Sequence, residues 1–242
     1  MRLFLKLIKF FDKIIFSSFF YNKRKFDAQR QAHTRYISVI KDLRQLKYSE
    51  YWRKIIQHIK VNNIEGDIVE CGVGNGESLG LILLNLKFNN LDKNYYGFDS
   101  FQGFPKLTNH DKPGLLKKNI EDSWAHTSSE YVLNNLKSIG FSSSEFKNVK
   151  FIKGFFEDSI PLNQKISKKI SLLNIDCDIY ESHKIVLKYF YPLVESKGII
   201  AFDDIDSIYF PGAVSATKQF LGENYKNLKK CPFSGKHYLI KE

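Results

Sequence analysis

The sequence predicts an α/β fold built on a mostly parallel sheet with helices on both faces. Three observations carry this expectation. Short apolar runs recur downstream of residue 61, helical apolar stripes separate them, and a glycine cluster directly follows the first run. Strands that alternate with helices pair in parallel, and the crossover helices then cover both faces. Length and composition agree with one large domain. Of the 242 residues, 43% are hydrophobic and 26% charged, an ordinary globular balance that excludes wholesale disorder. A chain of this size needs no disulfides to bury a core. Its three cysteines, Cys71, Cys177 and Cys231, are scattered and odd in number, which points to a reducing compartment such as the cytoplasm.

The net charge of +11 is concentrated at one end: residues 1–60 hold 15 basic and 4 acidic side chains, leaving 22 of each sign in residues 61–242. Within residues 1–25, Arg2, Lys6, Lys9, Lys13 and Ser17 share one helical face, and Leu3, Leu7, Ile8, Phe11, Ile14 and Ile15 occupy the rest. The lysines interrupt the apolar run too often for a membrane span or a signal peptide. A basic amphipathic helix can lie on an anionic membrane surface, and it can equally pack on the domain or on a second copy of the chain. Residues 26–61 read as a helical extension, with Tyr36-Ile37-Ile40-Leu43 and Tyr51-Trp52-Ile55-Ile56-Ile59 as its apolar positions, covering one edge of the domain at 62–242.

In that domain the first strand is expected at Ile68–Cys71. A helix from Glu77 to Leu86 follows the loop Gly72-Val73-Gly74-Asn75-Gly76. Further strands are expected at Tyr95–Phe98, Val149–Ile152, Ile170–Ile175 and Gly198–Phe202, with a helix over Tyr180–Tyr191. Tyr225–Lys230 and Lys236–Ile240, around Pro232–Gly235, read as a hairpin closing the sheet.

Ligands bind at the carboxyl ends of such sheets. There the sequence sets Glu70, Asp99, Asp176 with Asp178, and Asp203 with Asp204. Carboxylates on several strand ends repel one another unless a cation is present. The glycine loop lets backbone approach a ligand, yet its Gly-x-Gly-x-Gly spacing is not the dinucleotide fingerprint, and no phosphate-binding P-loop sequence occurs. Asp99, 23 residues beyond Gly76, stands where a carboxylate accepts ribose hydroxyls. Glu70 beside the loop favours a cationic ligand over a pyrophosphate, which points to S-adenosylmethionine rather than a nicotinamide or flavin. Asp176, Asp203 and Asp204 offer oxygen-only ligation suited to a hard divalent ion, most simply Mg²⁺. The plainer reading of Asp203-Asp204 is a helix cap.

The runs Gly66-Asp67-Ile68-Val69-Glu70-Cys71-Gly72-Val73 and Phe98-Asp99-Ser100-Phe101-Gln102-Gly103-Phe104-Pro105 resemble the macrocin/mycinamicin-type O-methyltransferases. So do Asn174-Ile175-Asp176-Cys177-Asp178-Ile179-Tyr180-Glu181-Ser182 and Gly198-Ile199-Ile200-Ala201-Phe202-Asp203-Asp204, although Cys177 stands where that family usually has glycine. The resemblance, from about residue 62 onward, implies a class I Rossmann-like methyltransferase fold with a seven-stranded sheet. It implies S-adenosylmethionine and Mg²⁺ as cofactors and a sugar, glycan or glycosylated small molecule as acceptor. Carried onto this chain, Glu70, Gly72, Gly74, Gly76 and Ser78 would line the methionine end, and Asp99 with Ser100 would hold the ribose. Gly154, Phe155 and Phe156 would border the adenine, while Asp176 serves cofactor and metal, joined by Asp203 and Asp204.

Methyl transfer from a sulfonium needs an acceptor hydroxyl made acidic by a cation and a base to take its proton. Asp176 and His126 are the catalytic candidates, with His126 in a segment that could fold over the acceptor beside Trp124. His183 is read as a helix-surface residue. An RNA methyltransferase gripping phosphates through the basic N-terminus is a competing reading, disfavoured because the base-methylating Asn-Pro-Pro-Tyr motif is absent. A non-catalytic membrane-attached scaffold is the third.

Overall fold

The computed structural model describes residues 43–111, 125–163 and 167–242. The helix expected over 1–25, residues 26–42 of the extension and Trp124 lie outside these residues. The described chain forms a seven-stranded sheet, with β1 (Asp67–Cys71), β2 (Tyr95–Asp99), β3 (Val149–Lys153), β4 (Ile170–Ile175), β5 (Val194–Phe202), β6 (Lys229–Lys230) and β7 (His237–Ile240). The spatial order is β3-β2-β1-β4-β5-β7-β6. The first five strands pair in parallel, and β7 runs antiparallel to both β5 and β6.

Six helices accompany the sheet among the described residues: α1 (Leu43–Val61), α2 (Glu77–Asn89), α3 (Ser129–Ser138), α4 (Phe156–Asn163), α5 (Tyr180–Phe190) and α6 (Pro211–Leu221). Alternation along the strands sends neighbouring side chains to opposite faces. Ile68, Leu172 and Ile199 therefore join one core with Tyr51, Trp52, Ile55, Ile56 and Ile59 of α1 and Leu79 and Ile82 of α2. Val69, Leu173 and Ile200 join the other, with Ile160 of α4 and Val186, Leu187 and Phe190 of α5. Fully buried β4 explains why its sequence is a continuous apolar run rather than an alternating one.

Two expectations are corrected. The segment Gly222–Asn227 is a 3₁₀ helix, so the sixth strand shrinks to Lys229–Lys230. His183 is not on a helix surface but fully buried, and burial pushes its pKa down to about 3, leaving a neutral ring. Its Nδ1 lies 3.4 Å from the Thr217 hydroxyl of α6, and Nε2 has no hydrogen-bond partner among the described residues.

Candidate active site

The strand order reverses between β1 and β4, the place where open α/β sheets form a crevice. Two loops leave the sheet there and touch through backbone. The Gly72 N–H donates to the Phe98 carbonyl at 2.9 Å, and the Asp176 N–H donates to the Cys71 carbonyl at 2.9 Å. Gly72 has φ 90°, and a Cβ there would stand 1.7 Å from the Asp176 carbonyl oxygen. Only glycine permits both the left-handed backbone and this approach.

Asp99 fixes the glycine loop from the second strand. Its Oδ2 accepts from the Val73 N–H at 2.8 Å and the Gly74 N–H at 3.0 Å, and its Oδ1 accepts from the Phe101 N–H at 2.7 Å. These three bonds use three of the roughly four acceptor sites of a carboxylate and leave one for a ligand hydroxyl.

A cavity of about 440 Å³ opens over these loops. Of the expected residues it is lined by Gly72, Gly74, Ser78, Asp99, Ser100, Gly154, Phe155, Phe156, Asp176, Asp203 and Asp204. Glu70, Gly76 and His126 are not among the lining residues. Glu70 is 1% exposed and lies beneath the loop, accepting from the Tyr95 hydroxyl and from Asn174 Nδ2 at 2.8 Å. Burial is the largest cause pushing its pKa up to about 8, against the downward pull of the Tyr95 bond. Gly76 instead begins α2 in a left-handed conformation, φ 83°, where a Cβ would meet Val132 Cγ1 of α3 at 2.6 Å. His126 is exposed, edge-on to Tyr131 with ring centres 6.4 Å apart.

The acidic rim is real but its membership differs from expectation. Asp176, Asp178 and Asp204 each offer an oxygen, and the three oxygens lie within 4.8 Å of one another. Asp203, expected in this set, pairs with Lys236 from the turn before β7. Asp178 takes its place because it sits at φ 61°, a left-handed turn that reverses the chain just before α5. Crowding and burial push the carboxyls up. Burial, partly countered by Lys236, raises Asp176 to about 6. Burial and then the Asp176 charge raise Asp178 to about 7, and burial, Asp178 and Asp176 raise Asp204 well above the usual carboxylate range. Among the described residues the buried Oδ2 of Asp204 has no hydrogen-bond partner. An oxygen-only cluster short of positive charge, with one orphaned carboxylate oxygen, fits a hard divalent cation.

Sequence reading missed the aromatic part of the wall, contributed by Tyr48, Tyr51 and Trp52 of α1 with Phe104 and Phe210. The α1 stripe was visible, but periodicity alone gives a buried face and not a cavity wall. The Phe104 and Phe210 rings lie 6.4 Å apart, joining the loop after β2 to the loop before α6. That first loop is pinned by Asp111, which is 1% exposed. Its Oδ1 accepts from the Tyr180 N–H at 2.9 Å, and its Oδ2 accepts from the Thr108 N–H and hydroxyl, both at 2.8 Å. Asp111 thereby caps α5, whose own cap position, Ile179, has no side-chain acceptor.

The macrocin O-methyltransferase (TylF) family model matches residues 17–231 of the chain. A demethyldecarbamoylnovobiocin O-methyltransferase of Streptomyces niveus is 29% identical over 162 residues, covering 66% of this chain and 60% of that protein. A mycinamicin III 3''-O-methyltransferase of Micromonospora griseorubida is 30% identical over 148 residues, covering 59% of this chain and 56% of that protein. The matched part thus spans less than two thirds of each relative. Among solved structures, the O-methyltransferase NovP superposes with a TM-score of 0.67 at 24% identity, covering 81% of this chain and 79% of that one. The calicheamicin methyltransferase CalS11 gives a TM-score of 0.67 at 24% identity, covering 79% and 77%. At these identities the structural likeness speaks for the class I methyltransferase fold.

Proposed function

Because the chain belongs to the macrocin O-methyltransferase family, we propose that it moves a methyl group from S-adenosylmethionine to a hydroxyl of a sugar, glycan or glycosylated small molecule, assisted by Mg²⁺. The observation that carries this reading is the backbone contact between Gly72 and Asp176, which joins the glycine loop to the carboxylate cluster. The matched relatives are named for O-methylation, one of them for mycinamicin III and another for a rhamnosyl tetracenomycin, the latter a glycosylated compound by name.

In this reading Gly72, Gly74 and Ser78 receive the methionine end, Asp99 and Ser100 the ribose, and Gly154, Phe155 and Phe156 the adenine. Glu70 contributes from beneath, by orienting Asn174, which does line the cavity. Asp176, Asp178 and Asp204 hold the divalent ion. When bound, Mg²⁺ supplies the positive charge that makes a neighbouring hydroxyl more acidic. The acceptor oxygen forms a bond to the methyl carbon as the carbon–sulfur bond breaks, and the hydroxyl proton leaves to a base. Asp176, common to the cofactor lining and the cluster, is the catalytic candidate among the described residues. Tyr48, Trp52, Phe104 and Phe210 give the acceptor flat apolar surfaces and exclude water from the reacting oxygen.

The test is transfer of labelled methyl from S-adenosylmethionine to glycoside-containing extracts of cells lacking the gene. The expected product gains the mass of one methylene, resists alkali as an ether does, and disappears with EDTA or with Asp204→Asn. Transfer that persists in EDTA would refute the ion. An alkali-labile product would mean esterification and refute the hydroxyl acceptor. A cytoplasmic enzyme resting on the membrane through residues 1–25 is the associated proposal. Among the described residues no helix is long and apolar enough to cross a membrane. Equal liposome co-sedimentation with and without residues 1–25 would refute the surface contact.

A further inference from the structure

Lys236 is the residue that the proposed chemistry leaves unused. It belongs to the turn between β6 and β7, held by the Cys231 N–H donating to its carbonyl at 2.8 Å and by its own N–H donating to Ser234 Oγ at 3.2 Å. Its side chain is only 15% exposed and lines the cavity. The ammonium pairs with Asp203 and stands 5.1 Å from the centre of the Tyr48 ring on α1. A largely buried lysine is costly unless its charge is matched, and here it is matched by Asp203, the sequence neighbour of Asp204, on the wall of the same cavity that Asp176, Asp178 and Asp204 line. The C-terminal hairpin thus brings a covalently tethered cation to the edge of that cluster.

We propose that Lys236 is a built-in competitor of the divalent ion, neutralising the rim through Asp203 when the ion is absent and weakening the ion's binding when it arrives. This rests on the proposed divalent-ion site. Two cations beside one cavity wall repel, and that repulsion weakens the ion's binding by about tenfold or more. The lysine therefore sets the ion concentration at which the site fills. It also spares the ion-free rim some of its own repulsion, so the cavity keeps its shape while empty.

The experiment is Mn²⁺ binding, followed by electron paramagnetic resonance and by calorimetry, to the full-length wild type and to Lys236→Met, Lys236→Gln and Lys236→Arg. S-adenosylhomocysteine binding serves as a check on the fold of each. Met and Gln remove the charge, so both are expected to tighten Mn²⁺ binding about tenfold or more, whereas Arg keeps the charge and is expected to bind like wild type. Using two neutral variants keeps the test valid if one fails to fold. Unchanged or weaker binding in the neutral variants would overturn the proposal, as would equal tightening in Lys236→Arg. Wild-type Mn²⁺ binding in those cases would leave the ion site itself standing. No Mn²⁺ binding in any of the proteins would overturn the divalent-ion reading and the competitor with it.

Discussion

Glu70 combines near-complete burial with a pKa pushed up to about 8, against an ordinary value of 4.5. The native chain therefore holds this proton more tightly than the unfolded chain does. Stability from this group is fully present below the unfolded pKa and is lost as pH rises toward the native value, with a slope of up to about 1.4 kcal/mol per pH unit. Glu70→Gln mimics the protonated side chain and cannot ionise. Denaturant titrations from pH 5 to 8 should show the variant gaining on wild type as pH rises. A constant difference across that range would mean that Glu70 is ionised in the fold. Gly72 makes the second prediction at this scale. An added methyl meets the Asp176 carbonyl at 1.7 Å on a backbone at φ 90°. Gly72→Ala should cost roughly 1–2 kcal/mol for the left-handed backbone alone, and more for the clash. Loss of S-adenosylhomocysteine binding should accompany it. Calorimetry with unchanged affinity would separate the two loops and weaken the account.

Helices and strands differ in how openly the sequence declares them. Ile170–Ile175 and the core of Val194–Phe202 are apolar runs whose only explanation is burial on both faces, so both were legible. By contrast, α4 carries Pro161 inside eight residues and α6 begins Pro211-Gly212, and these signals read as breakers rather than as helix. Gly212 has a tertiary cause: a Cβ there would lie 1.8 Å from Asp111 Oδ1 and 2.9 Å from the Tyr180 nitrogen. One carboxylate thus locks the loop after β2, the start of α5 and the start of α6, a relation between distant segments that local patterns do not encode. Asp111→Ala leaves the buried Tyr180 N–H and the half-buried Thr108 N–H without their acceptor and should cost about 1–3 kcal/mol. Gly212→Ala should destabilise through the same atom. In urea unfolding the double variant should lose less than the sum of the two, since the steric conflict vanishes with the carboxylate. Strict additivity would argue against the lock.

Over the whole molecule, the parallel sheet, its closing hairpin and the position of the crevice followed from alternating elements and strand-end acids. The membership of the carboxylate cluster did not. Asp203 and Asp204 are adjacent in sequence and so were read together, yet neighbouring side chains at the end of β5 point apart, one to Lys236 and the other to the cluster. Asp178 was visible at its strand end, but its left-handed backbone, which turns it inward, was not. Lys236 lines the cavity, and Asp111 pins the loop beside it, from segments whose local sequence announces only turns. The charge asymmetry belongs to the same scale, because the balanced part of the chain carries the glycine loop and the carboxylate cluster, while the basic quarter adds Tyr48, Tyr51 and Trp52 to the cavity wall.

The central claim is that one end of the sheet receives the methyl donor and a divalent ion side by side. It is tested most directly by crystals grown with S-adenosylhomocysteine and Mn²⁺, with anomalous scattering used to find the metal. The account predicts adenosine between Asp99 and Phe155, and an anomalous peak in contact with Asp176 and Asp204 next to the cofactor's sulfur. Adenosine bound away from the Gly72–Gly74 loop, or a rim with no anomalous peak at saturating Mn²⁺, would contradict it.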